Sequence, residues 1–189
     1  MIDQALLIIT QELNQFLRLR FDLNEDKVIL GPLIDQDGKV ATQDENKIIF
    51  TLVDIAEETL LKNKIDRRST GNRSDLFLNL KVLFSAYFNS LNYTDSLKYL
   101  TAVIAFFHAK PVFNLSNSPG LGSTDIEKLN FDIFHQDSNA KNNLWATLGA
   151  KYMPSVVYKI GLLTISDSTI RQEVDSVRSV DLDKYTNPT

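Results

Sequence analysis

The stretch LFLNLKVLFSAYF, residues 76 to 88, restricts the fold more than any other part of the chain. Leu76, Leu78, Leu80, Val82, Phe84, Ala86 and Phe88 recur every second residue, with Phe77, Asn79, Lys81, Leu83, Ser85 and Tyr87 between them. A helix would scatter the first set around its axis, whereas an extended chain puts it on one face. The stretch therefore predicts a long strand with one buried face and one mixed face. Such a strand needs neighbours and a covering layer. The chain has 189 residues, 43% of them hydrophobic, which suffices to build both.

The flanking segments supply helices and further strands. Residues 2–20 predict an amphipathic helix through Ile2, Leu6, Ile9, Leu13, Phe16 and Leu17. Asp3 in its first turn and Arg18 and Arg20 in its last suit the helix dipole. A short strand at 27–30 is broken by Gly31-Pro32, and Asp37-Gly38 is a hairpin signal. Residues 47–56 are apolar on both faces, which predicts a central strand. Asn92 is placed to cap a helix from 93 to 108, with Leu97, Leu100, Val103, Ile104 and Phe107 as its apolar stripe and Lys110-Pro111 as its stop. Strands are expected at 112–115, at 128–133 through Leu129, Phe131 and Ile133, and at 156–165. A short helix runs from a Ser138 cap to Leu148, closed by Gly149. Strands come in runs more than in strict alternation with helices. The expected class is α+β, with a mixed, mainly antiparallel sheet flanked by helices.

Catalytic chemistry finds little support. The two histidines, His108 and His135, have no metal-ligand spacing, and no nucleophile-elbow motif occurs. IDQDGK at 34–39 lacks the frame of a calcium loop and reads as a turn. GLGS at 120–123 lacks a phosphate-loop lysine. No metal or cofactor site is expected. Cysteine is absent, which excludes disulfides and thiolate chemistry. A net charge of −4 argues against a general nucleic-acid binder. No apolar run reaches the roughly 20 residues of a membrane span, so membrane insertion is not expected. The N-terminus has no basic region ahead of an apolar one, and folding in the cytoplasm is the expectation.

Two polar regions and one corner stand out. Residues 61–75 are expected to form a mobile loop, whose Arg67, Arg68 and Arg73 are either plainly solvated or in contact with an acidic partner. In the tail, Ile170, Val174 and Val177 share a helical face, and Val180 and Leu182 fit an extended segment. That tail either folds back on its own domain or docks on a neighbour. The corner is LWATLGAKYMPSVVYKIGLL, 144–163, in which Trp145 and Leu148 anchor a helix, Gly149 ends it and Pro154 starts a strand. Trp145 is read either as plain core or as the means of making the corner rigid.

Taken in order, MIDQALLIITQELNQFLRLRF, ENKIIFTLVDIAEE, LFLNLKVLFSAYF, YTDSLKYLTAVIAFFHAKPVF, EKLNFDIF and NNLWATLGAKYMPSVVYKIGLLTI resemble the tail-terminator (cap) family of contractile injection systems. More narrowly they resemble the N-terminal domain of the terminators of antifeeding-prophage and virulence-cassette type particles. The resemblance covers roughly residues 1–166, leaving 167–189 as a tail and possible interface arm. It implies a phage-tail-terminator-like fold and a structural subunit, not an enzyme. Six copies would form a ring that ends polymerisation of inner tube and sheath and caps the particle. Implied partners are further copies of the chain, the tube protein and the sheath protein. Assembly would be cytoplasmic, within a phage tail-like particle later released or membrane-anchored. On that reading Asn79, Lys81 and Tyr87, the Arg67–Arg73 loop and the tail from Ile170 to Leu182 are the expected contact surfaces. The competing readings are a monomeric protein-binding adaptor of the same fold and, with less support, an unrecognised enzyme.

Overall fold

The computed structural model describes residues 2–42, 44–58, 76–124 and 126–165. The alternating stretch is strand β3 (Leu76–Tyr87), and it lies in the middle of a sheet. In chain order the other elements are α1 (Ile2–Phe21), β1 (Val28–Leu30), β2 (Lys47–Glu57), α2 (Tyr93–Ala109), β4 (Val112–Asn114), β5 (Lys128–Ile133), α3 (Ser138–Leu148) and β6 (Ser155–Ile165). The described strands form a six-stranded sheet ordered β1-β2-β3-β6-β5-β4. Every pairing is antiparallel except β1 with β2, which is parallel. This is the expected α+β architecture.

Each face of the sheet has its own cover. On one, Leu80, Val82, Phe84 and Ala86 of β3 join Ile48 and Phe50 of β2, Tyr158 and Ile160 of β6, and Leu129 and Phe131 of β5. Helices α1 and α2 close this core with Ile9, Leu13, Leu17, Val103 and Phe107. Aromatic rings hold the two helices together: Phe16 lies 5.3 Å from Phe106, and Phe21 5.1 Å from Tyr99. On the other face Ile49, Leu83 and Val157 meet Leu33 and Trp145, with Ile34, Val40, Leu144 and Leu148 packed around them. The mixed face of β3 is thus half covered, by α3 and by the segment after β1.

At both outermost strands an asparagine side chain takes up outward backbone groups. Buried Asn14 of α1 donates from Nδ2 to the Val28 carbonyl at 2.9 Å and accepts from the amides of Lys27 and Val28 at Oδ1. At the opposite edge Asn117 donates from Nδ2 to the Val112 carbonyl at 2.8 Å and accepts from the Asn114 amide. Each amide occupies the place of a missing neighbouring strand, which blunts an edge otherwise open to aggregation.

Several expectations need correction. β2 is not central, since β3 and β6 hold that place; its double-sided burial covers only Lys47–Thr51 and fades as the strand runs past the covering layers. The Asp37-Gly38 turn forms, with Gly38 at φ +77°, but it closes a separate excursion bridged at Ile34 and Val40 instead of joining β1 to β2. The parallel pairing of β1 with β2 excludes a direct hairpin between them. Asn92 sits at the cap of α2 without bonding its amides, because a 3-10 turn at Ser90–Asn92 precedes the helix and Asn89 caps that turn instead. Asp137, not Ser138, caps α3, accepting from the Ala140 amide at 2.7 Å. The buried stripe of α2 is Ser96, Tyr99, Leu100, Ala102, Val103, Phe106 and Phe107. Leu97 is left exposed because the helix must face both the sheet and α1. Ile133 is also exposed, at the end of β5 beyond the helical layer.

Candidate protein interface

The corner of residues 144–158 is built from backbone and packing together. Trp145 is buried among Leu33, Ile49, Leu83 and Val157, and Leu148 packs on that cluster from one turn later. Gly149 takes a left-handed conformation, φ +67°, and its amide bonds back to the Ala146 carbonyl, which stops the helix. The chain then crosses to β6, where the Pro154 carbonyl accepts from the Ala86 amide at 2.9 Å and starts the ladder with β3. Tyr152 remains exposed with its ring edge-on to Trp145 at 5.5 Å.

Along the rest of that face the sheet is polar. Register places Asp54 of β2, Lys81 of β3, Lys159 of β6 and Asp132 of β5 side by side in one row. Lys81 donates to Asp54 at 2.9 Å, which holds the Asp54 carboxyl below its ordinary range, and its ammonium lies 5.4 Å from the Phe134 ring. Asn79 donates to the Glu58 carboxylate, and Lys159 lies 3.7 Å from the same group. Tyr87 packs on the Trp145 cluster. So Asn79 and Lys81 lie in one polar field, while Tyr87 belongs to the second core. Arg67, Arg68, Arg73, Ile170, Val174, Val177, Val180 and Leu182 lie outside the described residues.

Sequence reasoning missed two features. Leu91, Tyr93 and Leu97 are all exposed around the start of α2. Tyr93 and Leu97 stand four residues apart on one helical face, a spacing the sequence displays but cannot assign to inside or outside. The second is the charged row, which depends on strand register and so on pairings 27 to 78 residues apart.

Among the described residues no group of three or more histidine or acidic side chains gathers as a metal site would require. His108 is exposed in α2, and His135 is exposed in the connection between β5 and α3. An open cleft of about 190 Å³ lies between the end of β5, the start of β6 and α3, beside His135, Lys141 and Ser155. No helix among the described residues is long and apolar enough to cross a membrane.

A family model described as the Pvc16 N-terminal domain matches residues 6–179. No curated protein matches the sequence significantly. Solved structures also resemble the fold, among them two tube-terminating proteins. One is the sheath/tube terminator of an extracellular contractile injection system, PVC, in the extended state: TM-score 0.56, 15% identity, 97% of this chain and 65% of that chain. The other is the anti-feeding prophage cap, the AFP tube terminating cap: TM-score 0.55, 17% identity, 92% of this chain and 59% of that chain. The present chain therefore spans less than two thirds of either, and at such identities the likeness establishes the fold. The family match runs over nearly the whole sequence, and the chain belongs to the Pvc16 N-terminal domain family.

Proposed function

We propose that this chain is a structural, non-enzymatic subunit of the cap that terminates the tube and sheath of a contractile injection particle. The observation that carries this reading is the family match over residues 6–179, on a fold similar to two tube-terminating proteins. The absence of cysteine and the exposed, separate histidines agree with it but decide nothing alone. In this reading six copies join head to tail as a ring. Closure then depends on the angle between two different patches of each subunit, and a packed corner around Trp145, Leu148, Gly149 and Pro154 fixes such an angle better than a loose loop. Asn79, Lys81 and Tyr87, the segment with Arg67, Arg68 and Arg73, and the tail carrying Ile170, Val174, Val177, Val180 and Leu182 are its contacts with tube, sheath or neighbouring copies. The particle assembles in the cytoplasm and this subunit stays with it.

The test is tube length. Purified tube protein of the same system is polymerised with and without the chain, and filaments are measured by electron microscopy. Termination predicts shorter filaments of narrower length distribution, and truncation after Ile165 weakens the effect. Lengths that ignore the chain at every ratio would remove the reading and favour a monomeric adaptor.

A further inference from the structure

Sealed edges limit how copies of this chain can meet. Asn14 takes up the outward amide and carbonyl of Val28 in β1, and Asn117 the Val112 carbonyl and Asn114 amide of β4, so an asparagine interrupts any ladder at each end strand.

The layer over the Trp145 face carries acidic side chains without an ion-pair partner among the described residues on one flank and lysines without one on the other. On the β1–β2 side the segment 35–45 carries Asp35, Asp37, Asp44 and Glu45 against the single cation Lys39. It is held there by Leu33 in the Trp145 cluster and by the Thr51 hydroxyl, which donates to the Gly31 carbonyl. Asp35 is occupied in accepting from the amides of Asp37 and Lys39, and Glu45 accepts from Asn89. Asp37 and Asp44 are exposed, and no cation pairs with either carboxylate among the described residues. On the β5–β6 side His135 and Lys141 border the 190 Å³ cleft, and Lys151 follows α3. Neither Lys141 nor Lys151 forms an ion pair among the described residues; the nearby carboxylates are Asp137, which accepts from the Ala140 amide, and Asp132, which lies beside Lys159.

Opposite charge on opposite sides of one layer suits a heterologous contact, in which one flank of each copy meets the other flank of the next. We propose that consecutive copies join with the acidic 35–45 segment of one against the His135–Lys141 cleft of its neighbour, Asp37 facing Lys141. A two-fold dimer would instead make the contact twice and close after two copies, so it would give the double variant a dimer and no ladder. This rests on the ring reading above and gives it a specific joint.

The chain has no cysteine, so crosslinks can be placed without background. Asp37→Cys and Lys141→Cys both alter exposed positions outside the core. Under mild oxidation a mixture of the two single variants is expected to give a crosslinked dimer, each alone none, and the double variant a ladder of multimers. In parallel, D37K or K141E weakens self-association at least about tenfold, and the chain carrying both reversals regains it. Light scattering on the unaltered chain, free and with tube protein, separates the two claims. No multimer under either condition overturns the ring reading and this joint with it. A multimer that forms without the 37–141 crosslink, or that ignores both reversals, overturns the joint alone.

Discussion

Replacing Asn14 with alanine removes the plug on the β1 edge, and its cost follows from the geometry. Asn14 is 4% exposed and satisfies three backbone groups: the Val28 carbonyl at 2.9 Å, the Lys27 amide at 3.0 Å and the Val28 amide at 2.8 Å. Val28 is itself buried, so its amide and carbonyl lose their partner with little access to water. Lys27 is only partly buried, and its amide can be rehydrated. At about 1–3 kcal/mol for each buried group left unsatisfied, two such groups give roughly 2–4 kcal/mol after partial relaxation. That corresponds to a fall in melting temperature of about 5–15 °C for a chain of this size. The assay is urea unfolding followed by circular dichroism, with light scattering to register aggregation through the newly opened edge. Asn14→Asp separates the contributions: it keeps both acceptor bonds but turns a second oxygen toward the Val28 carbonyl. Its expected loss is about half or more of that in N14A, because the orphaned carbonyl then faces a negative charge. A change below about 0.5 kcal/mol in N14A would refute the reasoning, since that is the range of an ordinary surface substitution.

Other consequences are smaller and just as specific. Tyr158 is 1% exposed, its hydroxyl has no hydrogen-bond partner among the described residues, and burial pushes its pKa up to about 12; Tyr158→Phe should stabilise the fold by about 1 kcal/mol, and a loss of stability would reveal a bonded hydroxyl. Gly149 has φ +67° and a Cβ there would meet nothing within 4 Å, so Gly149→Ala should cost about 1 kcal/mol in unfolding experiments, with a much larger loss contradicting a purely backbone origin. Glu25 is held below its ordinary range by Lys27 and Lys47, as Asp54 is by Lys81. Folded-state pKa values below the unfolded ones mean these pairs stabilise above the ordinary carboxylate range, and the gain disappears as pH falls through the lowered values. A pH series should show Glu25→Gln and Asp54→Asn losing stability near neutrality and converging with the parent in acid, while a constant difference across pH would contradict the assignment.

What was legible in the sequence was what periodicity and turn chemistry encode. The two-residue alternation of 76–88 gave β3, and the Trp145–Gly149 pattern gave a helix with a left-handed stop. Relations across long sequence distances were not legible. Asn14 looks like one polar residue within an amphipathic helix, and its bond to Val28, 14 residues on, has no local signature. The parallel pairing of β1 escaped because Asp37-Gly38 is a true turn signal attached to a small excursion and not to the main ladder. The two apolar faces of 47–56 suggested a central strand, yet double-sided burial of 47–51 arises one place from the edge, where two covering layers meet. The polar row on the Asp54–Lys81–Lys159–Asp132 line exists only once register is known, so Lys81 could be read as exposed but not as paired.

A subunit that closes the end of a tube sits at one end of the particle. The most direct measurement is to label the chain with a small gold-binding tag, purify intact particles and locate the label by electron microscopy. Label confined to one end of the tube is the predicted result. Label spread along the tube or sheath, or absent from particles of normal length, would contradict it.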